Sequence, residues 1–159
     1  MASVVRAATP ADVAQMHNMI IELAEFEKAV HEVSATEADL HEALFGGTSL
    51  CAHVIDSPDG DGLAGMAIWF LNYSTWDGKH GIYLEDLYVR EEFRGQGFGT
   101  ALMKELARIA VDKGYTRFQW WVLNWNQPAI DVYKKLGAVP MDEWTVYRLT
   151  GDPLTELGR

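Results

Sequence analysis

Three glycines and an arginine occupy four of the six positions in Arg94-Gly95-Gln96-Gly97-Phe98-Gly99. The segment follows an apolar extended stretch and precedes an amphipathic one. Glycines where a chain enters a helix bare its main-chain N–H groups, and such groups at a helix N-terminus form a site for phosphate. Arg94 adds a positive charge beside them. Two other readings compete, a flexible surface turn and a dinucleotide-binding loop. The second fits poorly, because the spacing is G-x-G-x-G and no acidic residue ends a following strand about 20 residues on. The Gly-Lys-Ser/Thr of a P-loop is also absent. A second chemical signal is Glu85, an acid inside the apolar run from Gly81 to Val89. A carboxylate there is costly unless partnered. It suits the ammonium of a cationic ligand, or the proton of an amine taken through water.

These residues need elements to position them. Ser3 to Ala7 reads as a short strand. Thr9-Pro10-Ala11-Asp12 opens a helix on which Met16, Ile20, Leu23 and Glu27 follow at helical spacing, with Phe26 beside the last. Thr36-Glu37-Ala38-Asp39 opens a second, through about Leu44, closed by Gly46-Gly47. Leu50 to Ile55, Leu63 to Tyr73 and Gly81 to Val89 read as three antiparallel strands, with turns at 57–62 and 74–78. After the glycine loop, Phe98, Leu102, Leu106, Ile109 and Ala110 form the buried stripe of a helix ending near Lys113-Gly114. Tyr115 to Leu123 reads as a strand, Asn126 to Leu136 as a helix closed by Gly137, and Trp144 to Leu149 as a last strand. The order is that of a mixed α/β domain, with a parallel crossover between residues 82 and 123. Strict alternation puts Tyr83, Glu85, Leu87 and Val89 on one face, and Ile82, Leu84, Asp86 and Tyr88 on the other. Asp86 then suits a structural hydrogen bond.

Composition narrows the classes. A length of 159 residues fits one domain with a substantial core. A net charge of -10 argues against a nucleic-acid partner. The charge is uneven: residues 90–135 carry eight basic and five acidic side chains, the remainder five and eighteen. A locally basic segment suits an anionic cofactor and the acidic remainder a cationic substrate, although a solvated surface with chance clustering explains the numbers equally well. The apolar run from Ala64 to Leu71 is too short to span a bilayer, and residues 1–10 lack the apolar centre of a signal peptide. The single cysteine, Cys51, sits among apolar neighbours and reads as a buried structural thiol. His17, His31, His41, His53 and His80 have no metal-ligand spacing, so no metal is expected. A cytoplasmic location follows as the expectation.

Three blocks together resemble the GNAT superfamily of N-acetyltransferases. Arg94 to Gly99 is similar to its R/Q-x-x-G-x-G/A motif, Tyr83-Leu84-Glu85-Asp86-Leu87-Tyr88-Val89 to the strand before it, and Asn126 to Ala138 to its Asn…Tyr…Gly-Ala helix. Within the superfamily, Glu22 to Glu27, Tyr73-Ser74-Thr75-Trp76 and Trp125-Asn126 resemble the spermidine/spermine group and its thialysine-acetylating branch. The resemblance implies one acetyltransferase domain over residues 1–159, with a mixed sheet of about six to seven strands flanked by about four helices. It implies acetyl-CoA as co-substrate, held by Leu87, Tyr88, Val89, Arg94, Gly95, Gln96, Gly97, Phe98, Gly99, Thr100, Asn126, Pro128, Ala129 and Tyr133. Phe26, Glu27, Glu85, Gln119, Trp120 and Trp121 would face the amine, and members of the group resemble homodimers.

Acetyl transfer then assigns roles. Main-chain N–H groups near Leu87 would polarise the thioester carbonyl, which requires a splayed or bulged strand. Tyr133 would protonate the departing thiolate, since a tyrosine of pKa about 10 holds its proton at neutral pH. Outside the motif Tyr133 would read as an amphipathic core tyrosine, and Glu25 and Glu27 as a solvated helix face. Trp76, Trp120, Trp121, Trp125 and Trp144 read mostly as core or dimer packing, with one or two lining the amine site. The substrate would be a small primary amine, either a polyamine or a thialysine- or lysine-like amino acid. Two alternatives remain. A non-catalytic acetyl-CoA-binding regulatory module would lose Tyr133 or Glu85, and both are present. A protein N-terminal acetyltransferase would need an open peptide groove.

Overall fold

The computed structural model describes residues 4–47 and 49–159, so Ser3, the expected start of the first strand, lies outside the described residues. The chain forms two compact units, Met1–Trp121 and Val122–Arg159.

The first unit is a five-stranded sheet in the order β1-β2-β3-β4-β5. The strands are β1 (Val5–Ala7), β2 (Cys51–Asp56), β3 (Leu63–Ser74), β4 (Lys79–Val89) and β5 (Arg117–Trp120). Its helices are α1 (Val13–Phe26), α2 (Glu37–Phe45) and α3 (Phe98–Lys113). The first four strands pair antiparallel, and β5 joins β4 in parallel after the α3 crossover, as the spacing predicts.

Local chemistry sets the helix ends. Asp39 N–H donates to Thr36 Oγ1 at 3.1 Å and Thr36 N–H donates to Asp39 at 2.8 Å, a reciprocal cap that opens α2. Gly114, at φ +74°, closes α3 in the left-handed region, and Tyr115 N–H donates back to Ala110 O. One face of the sheet carries Val54, Met66, Ile68 and Tyr88, and α1 and α2 seal it with Val13, Met16, Met19 and Leu40. The other face packs on α3, whose Leu102 and Leu106 are fully buried and stabilise the layer by roughly 2 kcal/mol each. β3 is buried on both faces from Leu63 to Trp69 and so forms the spine.

Polar ties anchor the rim. Arg6 bridges Asp12 and Asp56 at 2.8 and 2.9 Å and holds both carboxyls below the usual range. Arg90 reaches Glu22 Oε2, Gln15 Oε1 and Leu63 O, clamping α1 to the end of β4. Cys51 is only partly buried rather than fully so, and desolvation pushes its thiol up, which disfavours the thiolate. Trp76 stands 89% exposed at the β3–β4 turn rather than in the core.

The second unit contains α4 (Gln127–Lys135) and α5 (Gly151–Leu157). The strand expected over Trp144 to Leu149 is not formed, and among the described residues the sheet has five strands rather than six or seven, with five α-helices rather than four. Strand propensity is necessary there but not sufficient. A strand needs a partner's ladder, and none pairs with 144–149 among the described residues. No helix among the described residues is long and apolar enough to cross a membrane.

Candidate active site

The glycine loop has the conformation its composition predicts. Gly95 and Gly97 lie at φ +80° and +83°, where side chains are strained. A Cβ at either would meet no atom within 4 Å, so both backbones face open space. Gly97 is the N-cap of α3, with no side chain capping the helix and no acid in its first turn. The first-turn N–H groups of Phe98, Gly99 and Thr100 therefore remain for an anion, with the helix dipole behind them. This donor set fits the diphosphate of CoA.

Arg94 does more than lend charge. Its Nε donates to Val89 O at 3.0 Å, and its guanidinium lies 5.4 Å from the ring centroids of both Phe26 and Tyr88. One arginine thus ties the loop to the last residue of α1 and to β4. Each ring contact is worth about 0.5–1 kcal/mol. The Tyr88 ring is buried in the core, where its hydroxyl donates to Glu22 Oε1 at 3.3 Å. Only the main chain of Tyr88 is left for a cofactor.

β4 is both bulged and splayed. Ile68 pairs with Asp86 and Trp69 with Leu84, so Glu85 is an extra residue without a partner on β3. Pairing with β5 stops at Leu84/Trp120, although β4 runs on to Val89. Among the described residues no strand pairs with that far edge beyond Leu84, which leaves main-chain donors beside Leu87.

The bulge corrects the simple alternation. Before it, Tyr83 lies opposite Phe70; after it, Asp86 lies opposite Ile68 and Tyr88 opposite Met66, all on the α1 face. Leu84 and Leu87 lie opposite Trp69 and Ala67 on the α3 face. Glu85 therefore does not share one strict face with Leu87, and Asp86 joins the face bearing Tyr83. No hydrogen bond to Asp86 exists among the described residues, so the expected structural bond is not made. Its carboxyl, partly buried, is pushed up to about 6 by desolvation and by the charges of Glu85 and Glu27. Desolvation also raises the Glu27 carboxyl, at the end of α1. Glu85 and Glu27, the two acids expected at the amine, thus act electrostatically on a third, Asp86. The signal for Asp86 was the doublet Glu85-Asp86, misread because strict alternation turned it away.

Beyond the acids the same face is aromatic and then polar. Phe70 and Tyr83 rings lie 5.0 Å apart, and Trp121 meets Tyr83 edge-on at 6.1 Å. Gln119 lies opposite Tyr83, and its Oε1 accepts from Asn72 Nδ2 at 3.0 Å. Trp120 is not brought to this face; its ring packs against Phe118 at 4.9 Å.

The second unit holds the remaining expected residues on α4. Asn126 Oδ1 caps the helix by accepting from Ala129 N–H at 3.4 Å, and Pro128 occupies its first turn. Asn126, Ala129 and Tyr133 follow at spacings of three and four, which puts them on one side of α4.

An anion-ready helix start beside a splayed strand edge and an acidic bulge defines an acyltransferase class of site. Residues 16–138 match the acetyltransferase (GNAT) family, and the chain belongs to that family. It is an N-acetyltransferase that takes its acetyl group from acetyl-CoA. A thialysine N-epsilon-acetyltransferase from Sus scrofa is 40% identical, the alignment covering 99% of this chain and 98% of that protein. An L-ornithine N5-acetyltransferase from Arabidopsis thaliana is 32% identical over 100% of this chain and 89% of that protein. Among solved structures, an integron cassette protein of V. cholerae superposes with a TM-score of 0.82 at 25% identity, covering 100% of this chain and 99% of that one.

Proposed function

We propose that the 159 residues act as one catalytic domain that acetylates the side-chain amine of a lysine- or thialysine-like amino acid. The observation that carries this is the bulge at Glu85, where the charges of Glu85 and Glu27 act on the partly buried Asp86 carboxyl. The relatives that act on thialysine and ornithine side chains support the same substrate class.

Acetyl-CoA supplies the acetyl group as a thioester. Glu85 holds the incoming ammonium, and Asp86 is the proton acceptor, directly or through water. Once the amine is neutral, its nitrogen attacks the carbonyl carbon as the C–S bond breaks. Main-chain N–H groups on the free edge of β4 stabilise the developing oxyanion. The nitrogen of the new amide sheds its second proton to water, and Tyr133 donates its proton to the departing sulfur and is reprotonated from solvent.

Glu85→Gln is expected to raise KM for cationic amines roughly tenfold with little change in kcat, the loss of one charge-assisted contact. A variant indifferent to amine charge would remove Glu85 from this role. Tyr133→Phe is expected to lower kcat by only about tenfold, because a thiolate of pKa near 8.5 is already a fair leaving group. Phenylalanine keeps the ring and loses only the hydroxyl, so acetyl-CoA affinity should fall by no more than a few-fold, and an unaltered kcat would take Tyr133 out of the acid role. The substrate class is tested by CoA release with thialysine, lysine, ornithine, spermidine and putrescine side by side. Faster turnover of spermidine than of any amino acid would overturn it, and tight acetyl-CoA binding with no turnover on any amine would favour the regulatory-module alternative.

A further inference from the structure

Asn72, on β3, reaches across β4 to β5. Its Nδ2 donates to Gln119 Oε1 at 3.0 Å, and the intervening strand presents Gly81 at the crossing, paired with Asn72 on one side and with Arg117 on the other. A Cβ at Gly81 would stand 2.7 Å from Asn72 Oδ1 and 3.0 Å from Arg117, so only glycine leaves room for this bridge. Asn72 Oδ1 itself is buried and accepts no hydrogen bond among the described residues. Leaving such an acceptor unmade costs about 1–3 kcal/mol. The bridge therefore exists at a cost, and its visible product is the fixed orientation of the Gln119 carboxamide.

A carboxamide offers one acceptor oxygen and an NH₂ with two donors. With its oxygen turned to Asn72, Gln119 has only N–H groups left to offer. Among the described residues nothing accepts from them. Gln119 lies opposite Tyr83, on the face that carries Asp86. Because the bulge takes up one residue, Tyr83 and Asp86 stand as far apart as their partners Phe70 and Ile68, two residues or about 7 Å along the strand, and Gln119 lies one strand further over. A lysine-like side chain spans roughly 8 Å between its terminal nitrogen and its carboxylate, which side chains extending from both ends can meet.

We infer that Asn72 is a specificity-determining positioning residue: it locks Gln119 as a donor-only subsite that receives the α-carboxylate of an amino-acid substrate and gives nothing to a second ammonium. This rests on the amino-acid reading of the substrate above and adds the group that recognises its far end.

The test compares L-lysine with 1,5-diaminopentane, which keeps the chain and both amines but lacks the carboxylate, using the full chain and saturating acetyl-CoA. Asn72→Ala is expected to raise KM for lysine tenfold or more while KM for the diamine stays within twofold and kcat for both is little changed. Asn72→Asp can only accept from Gln119, which turns the amide over and exposes its oxygen; the preference should shift toward the diamine. If either variant fails to bind acetyl-CoA normally, Gln119→Leu serves instead, with the same selective loss for lysine expected. Equal changes for both substrates, or none, would overturn the role of Asn72 and leave the substrate class standing. A wild-type chain that acetylates the diamine and no amino acid would overturn both.

Discussion

Gly97→Val is expected to weaken acetyl-CoA binding at least 100-fold while sparing an acetyl donor that lacks the diphosphate. At φ +83° a β-branched side chain is strongly disfavoured. The strain is about 1–3 kcal/mol if the conformation is kept. The valine also enters the open space above the loop, where the diphosphate must approach the first-turn N–H groups of α3. If the backbone relaxes instead, those N–H groups lose their convergence. Together the terms reach roughly 3 kcal/mol, or about two orders of magnitude in affinity. Calorimetry with CoA measures the loss, and kinetics with acetyl-pantetheine supply the control. Normal CoA affinity in the variant would mean that the diphosphate sits elsewhere.

Asp86→Asn is expected to make the protein more stable and much less active. The carboxyl is raised from 3.8 to about 6 in the folded state, first by desolvation, then by Glu85 and Glu27. A raised carboxyl binds its proton more tightly when folded, so its contribution to stability is full below about pH 4 and is lost as pH climbs to about 6. Above that the native state carries a penalty of about 2–3 kcal/mol, from 1.36 kcal/mol per unit. Asparagine removes it, so denaturant titration at pH 7.5 should show the variant more stable by about 2 kcal/mol, and the two proteins should converge near pH 4. Removing a general base should also lower kcat/KM by 100-fold or more. Below pH 6 the wild type must lose two protons to react, one from Asp86 and one from the amine, whereas the variant must lose one. The limb near pH 6 in log kcat/KM should therefore vanish in Asp86→Asn. A variant that keeps that limb, or is no more stable, would show that Asp86 is not the titrating group.

The parts of this molecule legible in the sequence are those set by short-range chemistry. The loop Arg94 to Gly99 announced its own conformation, because glycines at a helix start leave few alternatives. Thr36 and Gly114 marked helix ends for the same reason. The β4–α3–β5 crossover followed from element order. What the sequence concealed depends on residues far apart in the chain. The extra residue at Glu85 is visible only against β3, and the end of pairing at Leu84 only against β5. Without those partners, strict alternation assigned Asp86 to the wrong surroundings. Trp144 to Leu149 has the residues of a strand and no partner to make it one. Thr150-Gly151-Asp152-Pro153 does carry a helix signal, a capping residue followed by an acid and a proline in the first turn, and α5 starts there. Nothing local marks Asn72, whose part depends on a glycine nine residues away and a glutamine on another strand.

The one-residue offset in β4 also constrains how this enzyme can change. Glu85 is the inserted residue, so losing its codon alone would close the bulge and still leave Asp86 opposite Ile68, Leu87 opposite Ala67 and Tyr88 opposite Met66. The buried layer would keep its tyrosine, while the strand would lose one carboxylate and its local bend together. A one-residue insertion has no such slack to use and would turn part of the strand over. Lineages diversifying toward new amines can therefore shed this acid by shortening the strand once, and otherwise are confined to exchanging side chains here.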